Sequence, residues 1–246
     1  MHETIESETV EPLLRGRFGR PYLYARRCQS TQLELDEHAP EGAVAVCELQ
    51  TAGRGRLGRH WEAPEGTAIH CSVALRPPPG RRVAELTLLA AVAVTEAIEA
   101  VARVVALIKW PNDVLLDARK LAGILGELRG GTVLLGIGIN VNQTQEQLPA
   151  DARRPPASLR TITRREHDRA PLLAALLFGL EQRYDAWLEH GLDALHHELE
   201  QRDFLRGREV RVDGVTGRAS GIDSLGRLEL DVDGERRVVE SGEVSY

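Results

Sequence analysis

The sequence predicts an α+β fold in which helices pack on a largely antiparallel sheet and a small β-barrel follows at the C-terminal end. Apolar residues recur every three or four positions from Val83 to Arg103, which indicates a helix packed on a sheet. Four apolar segments with short turns follow between residues 104 and 141, as is typical of an antiparallel meander. After Phe204-Leu205, short alternating segments with frequent turns indicate a barrel of about 40 residues.

Two further strands are predicted before the helix. Ala43–Cys47 is a continuous apolar run that leads the chain to Gln50, and Ala68–Leu75 alternates until a proline cluster stops it. In the last segment of the meander, Leu135 and Ile137 face one way while Gly136 and Gly138 face the other. Two hypotheses fit the glycine face: an open surface with amides at one end, or a surface flattened against another backbone.

Composition indicates a globular chain without an affinity for polyanions. The protein has 246 residues, 42% of them hydrophobic, and a formal net charge of −6, so the general attraction that nucleic-acid binders need is missing. Met1–Glu11 lacks an apolar core, and no apolar run reaches the roughly 18 residues of a membrane span. Three cysteines without a C-x-x-C pair favour neither a disulfide framework nor a zinc site. These features predict a cytoplasmic protein.

Changes in pattern along the chain predict three parts. Residues 1–20 are polar and charged with little to pack, so we expect a flexible leader. The main domain is expected over residues 21–205. The C-terminal barrel is expected over residues 206–246, where the alternating strands begin.

Residues 53 to 59 read G-R-G-R-L-G-R, with no acid among them. Glycine permits positive φ and a close approach of the backbone to a ligand, and each guanidinium offers a planar fork of donors for carboxylate or phosphate. This arginine loop therefore predicts an anion site. A solvated basic loop and an RNA-binding segment are the alternatives, and the acidic net charge disfavours the second.

Two neighbouring turns collect further polar groups. Lys109 to Asp113 read K-W-P-N-D, and Arg119 to Gly123 follow at the next turn. A lysine beside the arginine loop can stabilise a carboxylate or phosphate that gains charge in a transition state, and an acid such as Asp113 can hold Mg²⁺. Considered alone, Lys120 also fits an ordinary surface residue.

Together these segments closely resemble the biotin protein ligases. The family's arginine-glycine loop is matched by Gly53 to Arg59, its K-W-P-N-D motif by Lys109 to Asp113, its R-K-L-A-G-I-L segment by Arg119 to Leu125, and its G-I-G-I-N-V-N strand by Gly136 to Asn142. Residues 241 to 245, S-G-E-V-S, extend the resemblance into the C-terminal part. The resemblance implies a mixed sheet similar to that of class II synthetases as the catalytic domain, with an SH3-like barrel.

The resemblance also implies an activity. Family members join biotin and ATP into biotinyl-5'-AMP and pyrophosphate, then pass biotin to one lysine of a biotin carboxyl carrier domain. Biotin, ATP and the carrier are thus the expected partners, with Mg²⁺ as activator and no tightly bound cofactor. Cations are needed because the carboxylate of biotin and the α-phosphate of ATP repel one another. A homodimer is compatible with the sequence, whereas DNA and membranes are not expected partners.

Site residues are carried over by position in the motifs. The expected catalytic groups are Arg56 and Lys120. The biotin site is expected to comprise Ser30, Thr31, Gln32, Gln50, Gly53, Arg54, Arg56, Lys120 and Gly123. The ATP and adenylate site is expected to comprise Arg54, Arg56, Trp61, Asn112, Lys120 and Asn140, with Asp113 as the candidate Mg²⁺ ligand.

Two positions depart from the common family pattern: Gln32 stands where asparagine is frequent, and Leu57 where another arginine is frequent. Glutamine keeps the amide one methylene farther out, and Leu57 removes one loop charge while Arg54 and Arg56 remain.

Fewer than thirty residues precede Ser30 and they contain no predicted helix pair, so we expect a ligase without an N-terminal DNA-binding domain. The rivals are a lipoate or octanoate ligase of the same fold and a non-catalytic RNA-binding module.

Overall fold

The computed structural model describes residues 4–149 and 155–246, and its main feature is one seven-stranded sheet. The strands are β1 (Tyr22–Cys28), β2 (Val44–Gln50), β3 (Ala68–Leu75), β4 (Leu107–Lys109), β5 (Asp113–Leu116), β6 (Arg119–Arg129) and β7 (Thr132–Asn140). They are arranged in the order β1-β2-β3-β7-β6-β5-β4. Only β1 and β2 pair in parallel, so the sheet is mixed and largely antiparallel, as expected. The meander from β4 to β7 is confirmed.

The helices cover one face of this sheet. They are α1 (Ser7–Val10), α2 (Val83–Ala102), α3 (Leu159–Thr163), α4 (Arg169–His190) and α5 (His196–Arg202). Helix α2 ends at Arg103, which takes the left-handed conformation with φ of 61°. Its apolar residues and those of α4 join Leu135, Ile137 and Ile139 of β7 in one core. The periodicity that predicted α2 therefore marks its buried face.

The opposite face of β7 carries glycines, and side chains rather than backbone occupy the space above them. A Cβ built at Gly136 would lie 3.0 Å from Nε2 of Gln32, and one at Gly138 would lie 2.4 Å from Cε2 of Trp61. The hypothesis of a glycine face flattened against another backbone was therefore wrong. The glycines leave room for an amide and an indole, and this places the functional side of the sheet opposite α2.

The expectation of a flexible leader over residues 1–20 was wrong for residues 4–20. Ile5, Val10 and Phe18 are at most 1% exposed and belong to the main core. The backbone N–H of Ile5 donates to Oε1 of Glu48 at 3.2 Å, and the Tyr22 hydroxyl donates to the Ile5 carbonyl at 2.7 Å. These apolar residues are separated by polar ones and contact different elements, so the segment shows no periodicity. Residues 1–3 lie outside the described residues.

The C-terminal part forms a second, five-stranded antiparallel sheet. Its strands are β8 (Glu209–Val212), β9 (Val215–Ile222), β10 (Leu228–Val232), β11 (Glu235–Val239) and β12 (Val244–Ser245), in the order β11-β10-β9-β8-β12. This arrangement is consistent with an SH3-like barrel, although within residues 207–246 no strand pairing joins β11 to β12. The indole N–H of Trp110, in the K-W-P-N-D turn, donates to the Gly226 carbonyl at 2.9 Å. A buried hydrogen bond thus links the two sheets.

Among the described residues, no helix combines the length and the apolar character that crossing a membrane requires.

Candidate functional site

Two connected cavities open on the glycine side of the main sheet. The narrow pocket, of about 50 Å³, lies between Ser30–Gln32, the end of β2 and the middle of β6 and β7. The wide cleft, of about 630 Å³, extends from the arginine loop to Glu243 in the C-terminal part. The side chains of Arg56, Trp61, Asn112 and Lys120 line both cavities. A ligand that occupies both would place its junction beside these four residues.

Most residues predicted for the site come together here. The narrow pocket is lined by Ser30, Thr31, Gln32, Gln50, Arg54, Arg56, Trp61, Asn112, Lys120 and Gly123. Asp113 and Asn140 line only the wide cleft. Gly53 lines neither, but a Cβ there would lie 2.2 Å from the Trp61 carbonyl oxygen and 2.9 Å from Nε2 of Gln50. Glycine is therefore required at residue 53 for the loop to approach β2.

The inner end of the narrow pocket is built from neutral, buried groups. A 3-10 turn, Thr31–Leu33, directs the backbone N–H of Thr31 to Oε1 of Gln50 at 2.8 Å. The hydroxyl of Ser72 donates to Oγ1 of Thr31 at 2.8 Å. Ser72 was missed because serine on a buried strand has no motif around it, although its alternation opposite Cys71 could have indicated a polar contact.

Gln32 is held by the strands beneath it. Its Nε2 donates to the carbonyls of Leu125 at 3.0 Å and Leu134 at 3.3 Å, which bridges β6 and β7. Its Oε1 is buried and has no hydrogen-bond partner among the described residues. An unpaired acceptor at a buried position is costly unless a ligand satisfies it. Glutamine at residue 32, where the family often has asparagine, therefore leaves its unpaired Oε1 as an acceptor at the pocket.

The three arginines of the loop contact three different elements. Arg54 Nη1 lies 3.1 Å from Oε1 of Glu127 on β6, and Arg59 Nη2 lies 2.6 Å from Oε1 of Glu243. Arg56 instead donates to the neutral Oδ1 of Asn112 at 2.9 Å. Burial lowers the pKa of Arg56, which means that its surroundings disfavour the charge. An anion in the narrow pocket would stabilise the positive charge of Arg56.

Trp61 follows the loop and lies flat against the sheet. Besides its contact at Gly138, its Cζ3 would be 3.1 Å from a Cβ at Gly123. The Lys120 ammonium lies 5.7 Å from the centroid of one Trp61 ring, within the range of a cation–π contact. Trp61 therefore forms part of the wall where the two cavities meet, and the glycines below it are needed for this position.

Lys120 is the second residue of β6 and lines both cavities. Its Nζ lies 2.7 Å from Oδ1 of Asp113, the first residue of β5. The chain contains only two lysines, Lys109 and Lys120, and Lys109 is 3% exposed. Both line the wide cleft, and Lys120 also lines the narrow pocket.

The Asn140 side chain is held by hydrogen bonds within the protein. The Asn140 amide donates to the Ala157 carbonyl at 3.0 Å and accepts from Gln143 Nε2 at 2.8 Å. Both ends of this amide already have partners, so its predicted contact with a nucleotide stays a prediction.

No group of three His, Cys, Asp or Glu residues within 4–149 and 155–246 could hold a metal. A Mg²⁺ ion beside Asp113 would take most of its ligands from phosphates and water, as this ion commonly does.

Comparison with known proteins agrees with this geometry. The profile of the biotin/lipoate A/B protein ligase family matches residues 24–143, and that of the biotin protein ligase C-terminal domain matches residues 207–246. The bifunctional ligase/repressor BirA of Bacillus spizizenii is 38% identical over 92% of this chain and 74% of its own length. The chain belongs to the biotin protein ligase family.

Other members of the biotin protein ligase family support the assignment. The biotin--[acetyl-CoA-carboxylase] ligase of Paracoccus denitrificans is 32% identical over 89% of this chain and 98% of its own length. A solved biotin protein ligase from Aquifex aeolicus, in complex with biotin and ATP, superimposes with a TM-score of 0.83 and 30% identity. That superposition covers 91% of this chain and 97% of the other, so both sheets are shared.

Proposed function

We infer that this chain is an ATP-dependent biotin protein ligase. It joins the carboxylate of biotin to the α-phosphate of ATP, releases pyrophosphate, and passes biotin from biotinyl-5'-AMP to a lysine of a biotin carboxyl carrier domain. The observation that carries the proposal is the shared wall of the two cavities. Arg56 and Lys120 stand at the junction where an acyl group in the narrow pocket would meet a nucleotide in the wide cleft.

For the first half-reaction we propose that the buried neutral groups bind the ring system of biotin. The ureido group needs donors and acceptors without charge, and Ser30, Thr31, Gln32 and Gln50 offer them at the inner end of the narrow pocket. The valerate chain would then extend toward Lys120. Because the carboxylate and the α-phosphate repel, Lys120 and Arg56 would stabilise the negative charge as the new P–O bond forms and pyrophosphate leaves.

The nucleotide is assigned to the wide cleft. Its volume of about 630 Å³ lies within the usual range for sites of cofactor-sized ligands. The indole of Trp61 and the amides of Asn112 and Asn140 would contact the nucleotide, with Mg²⁺ held between Asp113 and the phosphates. In the second half-reaction, the carrier lysine attacks the carbonyl carbon of the mixed anhydride, an amide forms, and AMP leaves. Biotin, ATP and the carrier domain are the partners of this proposal.

The second candidate is ligation of lipoate or octanoate to a carrier lysine, because the matching family description also includes lipoate ligases. The neutral hydrogen-bonding groups at the inner end of the narrow pocket favour biotin, since a dithiolane or alkyl chain would leave the buried Gln32 oxygen unpaired. An RNA-binding module is disfavoured because Arg54 and Arg59 already pair with carboxylates and the chain has a formal net charge of −6.

The test is mass spectrometry of a carrier domain incubated with this protein, ATP and Mg²⁺, with biotin in one reaction and lipoate in the other. A mass gain of one biotinyl group on one carrier lysine is expected, and none should appear when ATP is omitted. Transfer of lipoate with no transfer of biotin would contradict the proposal and favour the second candidate.

A further inference from the structure

Glu127 lies outside both cavities, yet it connects the elements that surround the narrow pocket. It is on β6, on the same side of the strand as Gly123 and Leu125. Its Oε2 accepts from Arg54 Nη1 at 3.2 Å, and its Oε1 lies 3.1 Å from the same nitrogen. Nη2 of Arg129 donates to the same carboxylate at 2.5 Å. Two arginines from different parts of the chain thus converge on one acid.

Arg129 extends this connection to the opposite side of the pocket. Its Nη1 donates to the backbone carbonyl of Gln32 at 3.0 Å. The neighbouring Thr31 N–H is bonded to Gln50, which ends β2 just before the arginine loop. Hydrogen bonds therefore connect Gln50, the 3-10 turn, Arg129, Glu127 and Arg54 around the pocket, and the backbone from residue 50 to residue 54 closes the ring.

We propose that Glu127 is a positioning residue that holds the arginine loop over the narrow pocket through Arg54. The loop begins with glycines, so its backbone does not fix its own position. Arg56 has a neutral partner and remains available to an anion, whereas Arg54 is bound to a carboxylate that Arg129 fixes. Arg54 and Arg56 therefore have different tasks: the first holds the loop and the second meets the ligand.

Glu127 differs from the carboxylate of an ordinary surface ion pair in its burial and in the number of its contacts. Exposed pairs usually contribute little because the side chains remain mobile and solvated. The Glu127 side chain is only 23% exposed and is bonded by two guanidiniums. A matched control exists in the C-terminal sheet, where Glu229 is 21% exposed and pairs with Arg236, and neither residue lines a cavity.

The first test needs no ligand and so does not depend on the proposed function. Cleavage by trypsin after Arg54 or Arg56 requires the arginine to leave its hydrogen-bond partner and enter the protease. Glu127→Gln should accelerate cleavage within residues 53–59 about fivefold, the effect of losing one partly buried ion pair. Glu229→Gln should leave the cleavage rate as in the unchanged protein. Equal rates in the two variants would overturn the proposal.

The second test uses bound ligand and rests on the proposed function. Biotinyl-AMP formed on the enzyme should be released about fivefold faster from Glu127→Gln, while pyrophosphate formation at saturating substrates changes by less than about twofold. Arg54→Gln should show the same faster release, and the double variant should be no faster than either single variant. Additive effects would mean that Glu127 does not act through Arg54. Failure of the unchanged protein to form biotinyl-AMP would refute the proposed function alone, and the cleavage test would still decide on Glu127.

Discussion

The narrow pocket and the wide cleft are built from different kinds of contact. The narrow pocket is closed at its inner end by hydrogen bonds between neutral groups that are at most 3% exposed, such as Ser30, Thr31 and Gln32. The wide cleft is bounded by charged side chains, and the Arg59–Glu243 pair that spans it has side chains 47% and 37% exposed. The inner end of the first region is formed by the main sheet and the 3-10 turn beside it, whereas the second region joins two sheets and a loop.

This difference indicates which region selects the ligand and which region accommodates its charged part. Buried neutral groups penalise any ligand that leaves them unpaired, so the narrow pocket selects its ligand by shape and hydrogen bonding. Exposed ion pairs are weak and adjustable, so the wide cleft can open and close around a charged ligand. Lys120 and Arg56 belong to both regions, and changes there should affect activity most.

Lys120→Ala should have the largest effect, because it removes a cation from the junction of the two regions while packing loses little. Adenylate formation, measured as pyrophosphate release, should fall about a thousandfold, near the upper effect of removing one group that stabilises transition-state charge. The circular dichroism spectrum and the melting temperature should stay unchanged. Pyrophosphate release at the normal rate in a folded Lys120→Ala protein would exclude this role, and Arg236→Ala serves as a surface-cation control.

Arg56→Gly should separate synthesis of the intermediate from its retention. Loss of the guanidinium removes a charge-assisted contact, so escape of biotinyl-AMP should rise about thirtyfold. The measurement is biotin on lysines of an unrelated lysine-rich protein mixed with either enzyme. If the variant still makes adenylate but labels bystander lysines no more than the unchanged enzyme, Arg56 does not retain the intermediate.

Thr31→Val tests the narrow pocket alone. The variant keeps the volume but leaves the buried Ser72 hydroxyl without its acceptor, so affinity for biotin should fall about tenfold. The KM for ATP should remain unchanged, because the wide cleft is intact. Isothermal titration with biotin and steady-state kinetics with ATP give both numbers. An equal change in both would mean that the two regions are not independent.

Glu243→Gln is the corresponding change in the wide cleft, and we expect the smallest effect. Breaking an exposed ion pair should raise the KM for ATP about threefold without altering affinity for biotin. The difference from the unchanged enzyme should shrink at high salt, since mobile ions screen the pair. A larger effect on biotin than on ATP would contradict the assignment of ligands to cavities.

Sequence periodicity predicted the elements that carry a regular apolar pattern. Helix α2, the meander from β4 to β7 and strand β3 were all placed within a few residues, although β3 is buried on both faces. Strand β1 and the packing of residues 4–20 were missed. Their apolar residues are isolated, and parallel pairing with β2 depends on contacts that no local pattern contains.

The motifs predicted which residues meet at the junction, whereas the supporting contacts were not predictable. Glu127 is 73 positions from Arg54 along the chain, and Glu243 is 184 positions from Arg59. A glutamate on a strand gives no signal of its partner when that partner lies on a distant loop. Trp110 shows the same limit, since its motif position did not predict a hydrogen bond to Gly226.

The scarcity of lysine has a consequence for an enzyme that makes a reactive acyl anhydride. Primary amines attack such anhydrides at neutral pH, whereas guanidiniums, which stay protonated, do not. The two lysines of the chain both line the wide cleft, so no other side chain offers the intermediate a primary amine. Because all the other cationic side chains are arginine or histidine, acylation of the enzyme's own lysines by biotinyl-AMP is confined to the two in the cleft, and the remaining surface stays unmodified.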